Sequence, residues 1–144
     1  KMPGMLQNTA AVYRDADVFV QSSVYEGMSN TLAEAMAAGL PCGASRVGGN
    51  PDVVGGAGVF YESGDDAVLA ERLAALRRDP TRASALGDAA RERAREVFGM
   101  DRMVQAYDEV DATARKYDVS MRIASYVLAI ERVATVFRMR GVFA

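Results

Sequence analysis

Histidine is absent from all 144 residues. That absence removes the commonest general base and the commonest zinc ligand, and it excludes a Ser-His-Asp or Cys-His mechanism. Cysteine occurs once, at Cys42. No intramolecular disulfide can form, and a reducing, cytoplasmic setting is the expectation. Tryptophan is missing, and lysine occurs only at Lys1 and Lys116, so arginine carries almost all of the basic charge. With 17 basic against 19 acidic residues the net charge is −2, which supplies no long-range pull toward nucleic acid. No uninterrupted apolar run reaches the length of about 18 residues that would suggest a membrane span. The opening residues lack the charged start and apolar stretch of a secretory leader. Half of the residues are apolar, which is enough for a core, and the length suits one domain by default.

The most informative stretch is Glu26-Gly27-Met28-Ser29-Asn30-Thr31-Leu32-Ala33-Glu34. Two carboxylates flank a glycine turn and capping residues that lead into an alanine-rich helix. A strand-like run, Asp17-Val18-Phe19-Val20, precedes it, and Gly39-Leu40-Pro41 stops the helix. Strand, glycine turn and helix start together expose unpaired backbone N–H groups to an anion. A carboxylate one turn into that helix is then placed to reach hydroxyl groups of whatever carries the anion.

Along the chain, residues 1–10 read as irregular, with a short helix over about 9–15 that packs Ala11, Val12 and Tyr13 inward. Residues 17–22 read as a buried strand, 30–38 as a helix, 41–45 and 58–61 as two more short strands. Val47-Gly48-Gly49-Asn50-Pro51 reads as a loop on its turn signals, with a brief turn over 52–54. Helices follow over 66–78 with Asp65 as cap, over 82–97 with Thr81 as cap, and over 101–116. Arg91-Glu92-Arg93-Ala94-Arg95-Glu96 reads as a solvated face of the second of these. In the tail, Ile123, Tyr126, Val127, Ile130, Val133, Ala134 and Phe137 follow helical spacing, and Arg138 and Arg140 sit where a helix C-terminus favours cations. Strand–helix alternation followed by helices implies an α/β layer with a parallel sheet. Three strands are few for a complete sheet, so a partial domain is expected.

Several of these segments carry a family likeness. They are Tyr13-Arg14-Asp15-Ala16-Asp17-Val18-Phe19-Val20, Tyr25-Glu26-Gly27-Met28-Ser29-Asn30, Glu34-Ala35-Met36-Ala37-Ala38-Gly39-Leu40-Pro41 and Val47-Gly48-Gly49-Asn50-Pro51-Asp52. The chain resembles the C-terminal, donor-binding lobe of retaining glycosyltransferases with the GT-B fold, the GT4-like family. The likeness runs from about residue 3 to about residue 112 and extends to Gly58-Val59-Phe60-Tyr61 and Arg95-Glu96-Val97-Phe98.

The resemblance implies a partial Rossmann-like domain at 1–118, a short parallel sheet flanked by helices, followed by an amphipathic helical tail at 119–144. It implies a nucleotide-sugar as substrate, with no cofactor and no metal. Glu34 matches a glutamate expected to accept hydrogen bonds from ribose hydroxyls. Glu26 matches one expected near the transferred sugar, where we give it an electrostatic role. Gly27, Met28, Ser29 and Asn30 match the loop whose amides face sugar and diphosphate, and Gly48 and Gly49 match a sugar-facing loop. Gln21 stands where the family usually has proline, and Cys42-Gly43 where it usually has a valine pair; both read as packing substitutions. Earlier strand–helix units with a basic pair, and the acceptor-binding lobe, have no counterpart here, so a missing lobe or a second chain is an expected partner.

Plainer readings stand beside these. Glu34 also fits a capping box with Thr31. Glu26 also fits a solvated loop glutamate, and Gly48-Gly49 a plain turn. The tail fits a helix covering core or a partner lobe, a contact between copies of the chain, or a helix lying on a membrane surface. A nucleotide-binding or oligomerising module without chemistry is the alternative to a transferase.

Overall fold

The computed structural model describes residues 9–139. Residues 1–8 and 140–144, and the side chains of Val136, Phe137 and Met139, lie outside the described residues. The chain divides into two compact units, one ending at Gly99 and one beginning at Met100. The sequence reading placed its boundary later, between 118 and 119.

The first unit is an α/β layer. Its elements are α1 (Thr9–Asp15), β1 (Phe19–Gln21), α2 (Asn30–Ala38), β2 (Cys42–Ser45), α3 (Asn50–Val54), β3 (Gly58–Tyr61), α4 (Asp66–Arg78) and α5 (Pro80–Phe98). The three strands form one sheet in the order β1-β2-β3, and both pairings are parallel. Phe19 pairs with Cys42 and Gln21 with Ala44, while Cys42 pairs with Gly58 and Ser45 with Tyr61. The middle strand is buried along its whole length, as a parallel strand covered on both faces must be. All three strands therefore end on one side, and the loops after Gln21, Ser45 and Tyr61 gather there. In open parallel sheets that side is where ligands bind.

The core lies between the sheet and helices α2, α3 and α5. Leu32, Ala35 and Met36 from α2 pack with Cys42 and Ala44, Val53 and Val54, and Ala90 and Ala94. Burial pushes the Cys42 thiol up to about 12.

Helix α2 stops as its sequence demands. Gly39 takes the left-handed conformation (φ 81°), its amide donates to Met36 O at 2.9 Å, and the Leu40 amide donates to Ala35 O at 3.1 Å. That pairing is a Schellman stop, with Leu40 buried behind it. Helix α5 crosses this stop closely enough that a Cβ on Gly87 would lie 2.3 Å from the Gly39 carbonyl oxygen.

Three local expectations change. Residues 50–54 form a helical turn and not an open loop, because Pro51 serves as a helix start, with Gly49 as its cap. The cap of α5 is Asp79 and not Thr81; its carboxylate accepts from the Arg82 amide at 2.9 Å, and Pro80 occupies the first helical position. The charged run on α5 is only partly a solvated face. Arg91 donates to Ala38 O at 3.1 Å and Arg93 to Val53 O at 2.9 Å, so two guanidinium groups close the C-terminal ends of α2 and α3. Val12, expected to face inward, is exposed.

The second unit is a helix pair, α6 (Met100–Tyr117) and α7 (Met121–Met139). Asp118 makes the turn with φ 50°, a conformation aspartate tolerates, and the Ser120 hydroxyl accepts from the Ile123 amide at 3.4 Å. The pair is held by Glu109–Arg132 and by the Tyr117 hydroxyl donating to Glu131 at 3.0 Å. The tail is thus helical as read. Ile123, Tyr126, Ile130 and Val133 from its apolar stripe are nevertheless exposed, while Ala124 is buried.

Helix propensity alone favours alanine over glycine at position 87 by about 1 kcal/mol. The 2.3 Å approach to Gly39 O reverses the sign. Gly87→Ala should lower the stability measured by urea unfolding by about 1–3 kcal/mol, the usual cost of overpacking; a more stable variant would show that α5 does not sit this close to α2.

Candidate active site

The loop after β1 and the first turn of α2 form one polar cluster. Ser29 is buried and caps α2, its hydroxyl accepting from the Leu32 amide at 3.2 Å. The first intrahelical bond runs from Ala33 to Ser29 O. Among the described residues the amides of Asn30 and Thr31 have no hydrogen-bond acceptor, so the helix start keeps donors and the positive end of its dipole for something else. With Ser29 as cap, Glu34 falls beyond the position that closes a capping box. It is exposed and accepts a hydrogen bond from the Tyr13 hydroxyl at 3.0 Å.

Glu26 is half-buried and held by two donors on the same oxygen. Gln21 Nε2 and Ser23 Oγ each lie 3.0 Å from Glu26 Oε2. Gln21 Nε2 also reaches Ser23 Oγ at 2.6 Å, and the Thr31 hydroxyl donates to Gln21 Oε1 at 3.4 Å. Thr31 in turn shares a hydrogen bond with the Ser29 hydroxyl at 3.1 Å. Gln21 is therefore no packing substitution: it ties the carboxylate of Glu26 to the start of α2. Glu26 is correspondingly an oriented group, not a freely solvated one.

Gly48 and Gly49 lie directly behind this loop. The Gly49 amide donates to Gly27 O at 3.0 Å and to Glu26 O at 3.3 Å. A Cβ on Gly49 would lie 2.1 Å from Gly27 O, and one on Gly48 (φ 50°) would lie 1.6 Å from Glu26 O. The Gly48-Gly49 pair supports this loop backbone to backbone, and only residues without side chains fit. Further ties converge on the carbonyl of Ser23, which accepts from Ser45 Oγ at 2.7 Å and from Ser63 Oγ at 3.4 Å. The Tyr61 hydroxyl donates to Gln21 O at 3.2 Å. All three strand ends thus brace one loop, whose outer residues Val24, Tyr25 and Met28 are bare.

No group of three or more metal-ligating residues is assembled among the described residues. None of their helices is long and apolar enough to cross a membrane.

The model of the family described as glycosyl transferases group 1 matches residues 1–79, more than half of the chain. The chain belongs to this glycosyltransferase family. Among curated relatives, the N-acetyl-alpha-D-glucosaminyl L-malate synthase of Bacillus anthracis is 33% identical over 109 residues, covering 74% of this chain and 29% of the relative. The MMP alpha-(1->4)-mannosyltransferase of Mycolicibacterium hassiacum is 41% identical over 95 residues, covering 64% of this chain and 23% of the relative. Among solved structures, sucrose-phosphate synthase from Thermosynechococcus elongatus superimposes with a TM-score of 0.64 at 34% identity, over 72% of this chain and 27% of that one. The α/β fold of GT-B type expected from the sequence is present. The chain spans less than a third of the length of each of these relatives.

Within the first unit, the candidate residues from the sequence are brought together around one loop and one helix start: Glu26, Gly27, Met28, Ser29 and Asn30, with Gly48 and Gly49 behind them. Glu34 stands on the next turn of α2, against α1. Tyr13, Gln21 and Ser23, not marked as candidates by the sequence, hydrogen-bond the two candidate carboxylates. The Tyr13 signal was present, since it begins one of the matching segments, but it read as a packing aromatic.

Gly49→Ala should displace the Glu26–Gly27 backbone. The expected loss in thermal or urea stability is about 1–3 kcal/mol. A variant as stable as the parent would show that the two loops are not in backbone contact.

Proposed function

We propose that the chain supplies the donor-binding part of a retaining glycosyltransferase, which moves a hexose from a nucleotide-sugar to an acceptor hydroxyl. The bond from the anomeric carbon to the diphosphate oxygen breaks, and a bond from that carbon to the acceptor oxygen forms. The acceptor proton is released, and the nucleoside diphosphate leaves. The observation that carries this reading is the start of α2, whose Asn30 and Thr31 amides have no acceptor among the described residues and stand beside a carboxylate held in place by Gln21 and Ser23.

In this reading the diphosphate lies at the amides of Gly27, Met28, Ser29 and Asn30. The helix terminus contributes roughly 0.3–2 kcal/mol of charge stabilisation there. Basic side chains from outside these residues add to it, and no metal is required. Glu34 accepts hydrogen bonds from the ribose hydroxyls, a task that suits a carboxylate with several lone pairs. Glu26 lies near the sugar ring and stabilises the positive charge that develops on it as the bond to the diphosphate lengthens. Gly48 and Gly49 face the sugar from behind the loop they support. The acceptor is met by a lobe or a second chain beyond these residues, which agrees with the short share of each relative that the chain spans. A second reading is a binding module, in which this chain holds the donor without turning it over.

Calorimetry with UDP, GDP and ADP tests the donor site. One of the three should bind, and Glu34→Ala should weaken it about tenfold, the loss expected for hydrogen bonds to a charged group. Unchanged affinity in that variant would remove Glu34 from the ribose. Slow release of sugar from the matching nucleotide-sugar would favour the enzyme over the binding module.

A further inference from the structure

Tyr13 is the residue of α1 that reaches the proposed ribose carboxylate. Its ring is seated against the core, edge-on to Phe19 with centroids 6.1 Å apart and planes at 64°. From that fixed seat its hydroxyl lies 3.0 Å from Glu34 Oε2 and 3.4 Å from Thr31 O. The Glu34 carboxylate makes no other hydrogen bond or ion pair among the described residues, so the phenol is what orients an otherwise exposed side chain. Tyr13 and Glu34 together line a hollow of about 340 Å³ between α1 and α2, with Thr9, Ala10, Ala37 and Ala38.

We infer that Tyr13 is a positioning residue for donor recognition: its hydroxyl occupies one oxygen of Glu34 and turns the other toward the ribose hydroxyls of a nucleoside diphosphate. This rests on the donor-site reading above and deepens it. A glutamate on a helix surface has three rotatable bonds, and binding through it ordinarily requires those to be ordered. Here the ordering is done before the ligand arrives, by a donor whose own ring packs edge-on against Phe19. The phenol keeps its proton: burial first, and the neighbouring Glu34 next, raise it above its ordinary value. Below that value it is a standing donor, and a carboxylate accepting one such bond still has lone pairs free for two hydroxyls.

Tyr13→Phe is the clean variant, because it keeps the ring and its packing and removes only the hydroxyl. The measurement is the affinity of the 144-residue chain for UDP, GDP and ADP against their 2′-deoxy and 3′-deoxy forms, with thermal unfolding recorded alongside. The parent should prefer the ribo form. Tyr13→Phe should reduce that preference about fivefold, toward the level of Glu34→Ala, and the double variant should be no worse than Glu34→Ala alone. A hydroxyl that merely ties α1 to α2 would lower the unfolding temperature and leave the ribo-to-deoxy ratio alone. If Tyr13→Phe keeps the parent's ratio while Glu34→Ala loses it, the inference is overturned and the ribose role of Glu34 stands. If the parent shows no preference, or binds none of the three, both fall together.

Discussion

The amide of Gly49 donates to the carbonyls of Glu26 and Gly27, and this backbone contact governs the candidate site. It leaves no room for a Cβ at either Gly48 or Gly49. The loop after β2 thus lies in backbone contact with the loop after β1, which leads into α2. The Ser23 carbonyl, pinned by Ser45 and Ser63, fixes the same loop from its other side. A short parallel sheet is sufficient for this, since each of its three strands ends in a residue or loop that touches the segment between Gln21 and Ser29.

With the loop held, the electrostatics follow from position. The buried Ser29 satisfies one amide of the helix start, and Asn30 and Thr31 keep theirs. Thr31 joins two carboxylate arrangements. Its hydroxyl leads through Gln21 to Glu26, and its carbonyl lies beside the Tyr13 hydroxyl that holds Glu34. An anion at the helix start would therefore sit between two oriented carboxylates, each already supplied with a donor from the protein. The close crossing of α5 at Gly87, together with the hydrogen bond from Arg91 of α5 to Ala38 O on α2, seats the helix that carries all of this.

Much of this was legible in the sequence because it is written in punctuation. Gly39-Leu40-Pro41 ends α2, Asp65 caps α4, and the strand between Asp17 and the loop is short and apolar, so the element order and the loop that opens α2 could be read directly. What could not be read were contacts between residues distant in the chain. Tyr13 meets Glu34 across 21 positions, and Arg93 meets Val53 across 40. Nothing local separates these from a packing aromatic and a solvated arginine. Gln21 lies only five positions from Glu26, but a polar residue at the end of a strand points to solvent as readily as to a neighbour. Asn50-Pro51 was ambiguous in itself, since the same pair opens a turn or starts a helix. The tail announced its helix but not its surroundings, because helical periodicity reports an apolar face and does not say what lies against it.

The most direct measurement is the backbone amide spectrum of the isotope-labelled chain during titration with UDP, GDP and ADP. A diphosphate held at the start of α2 should move the resonances of Gly27, Met28, Ser29, Asn30 and Thr31 most, with Gly49 following through its contact with the loop. Binding that left those amides still, with the changes confined to other parts of the chain, would contradict a donor site at that helix start.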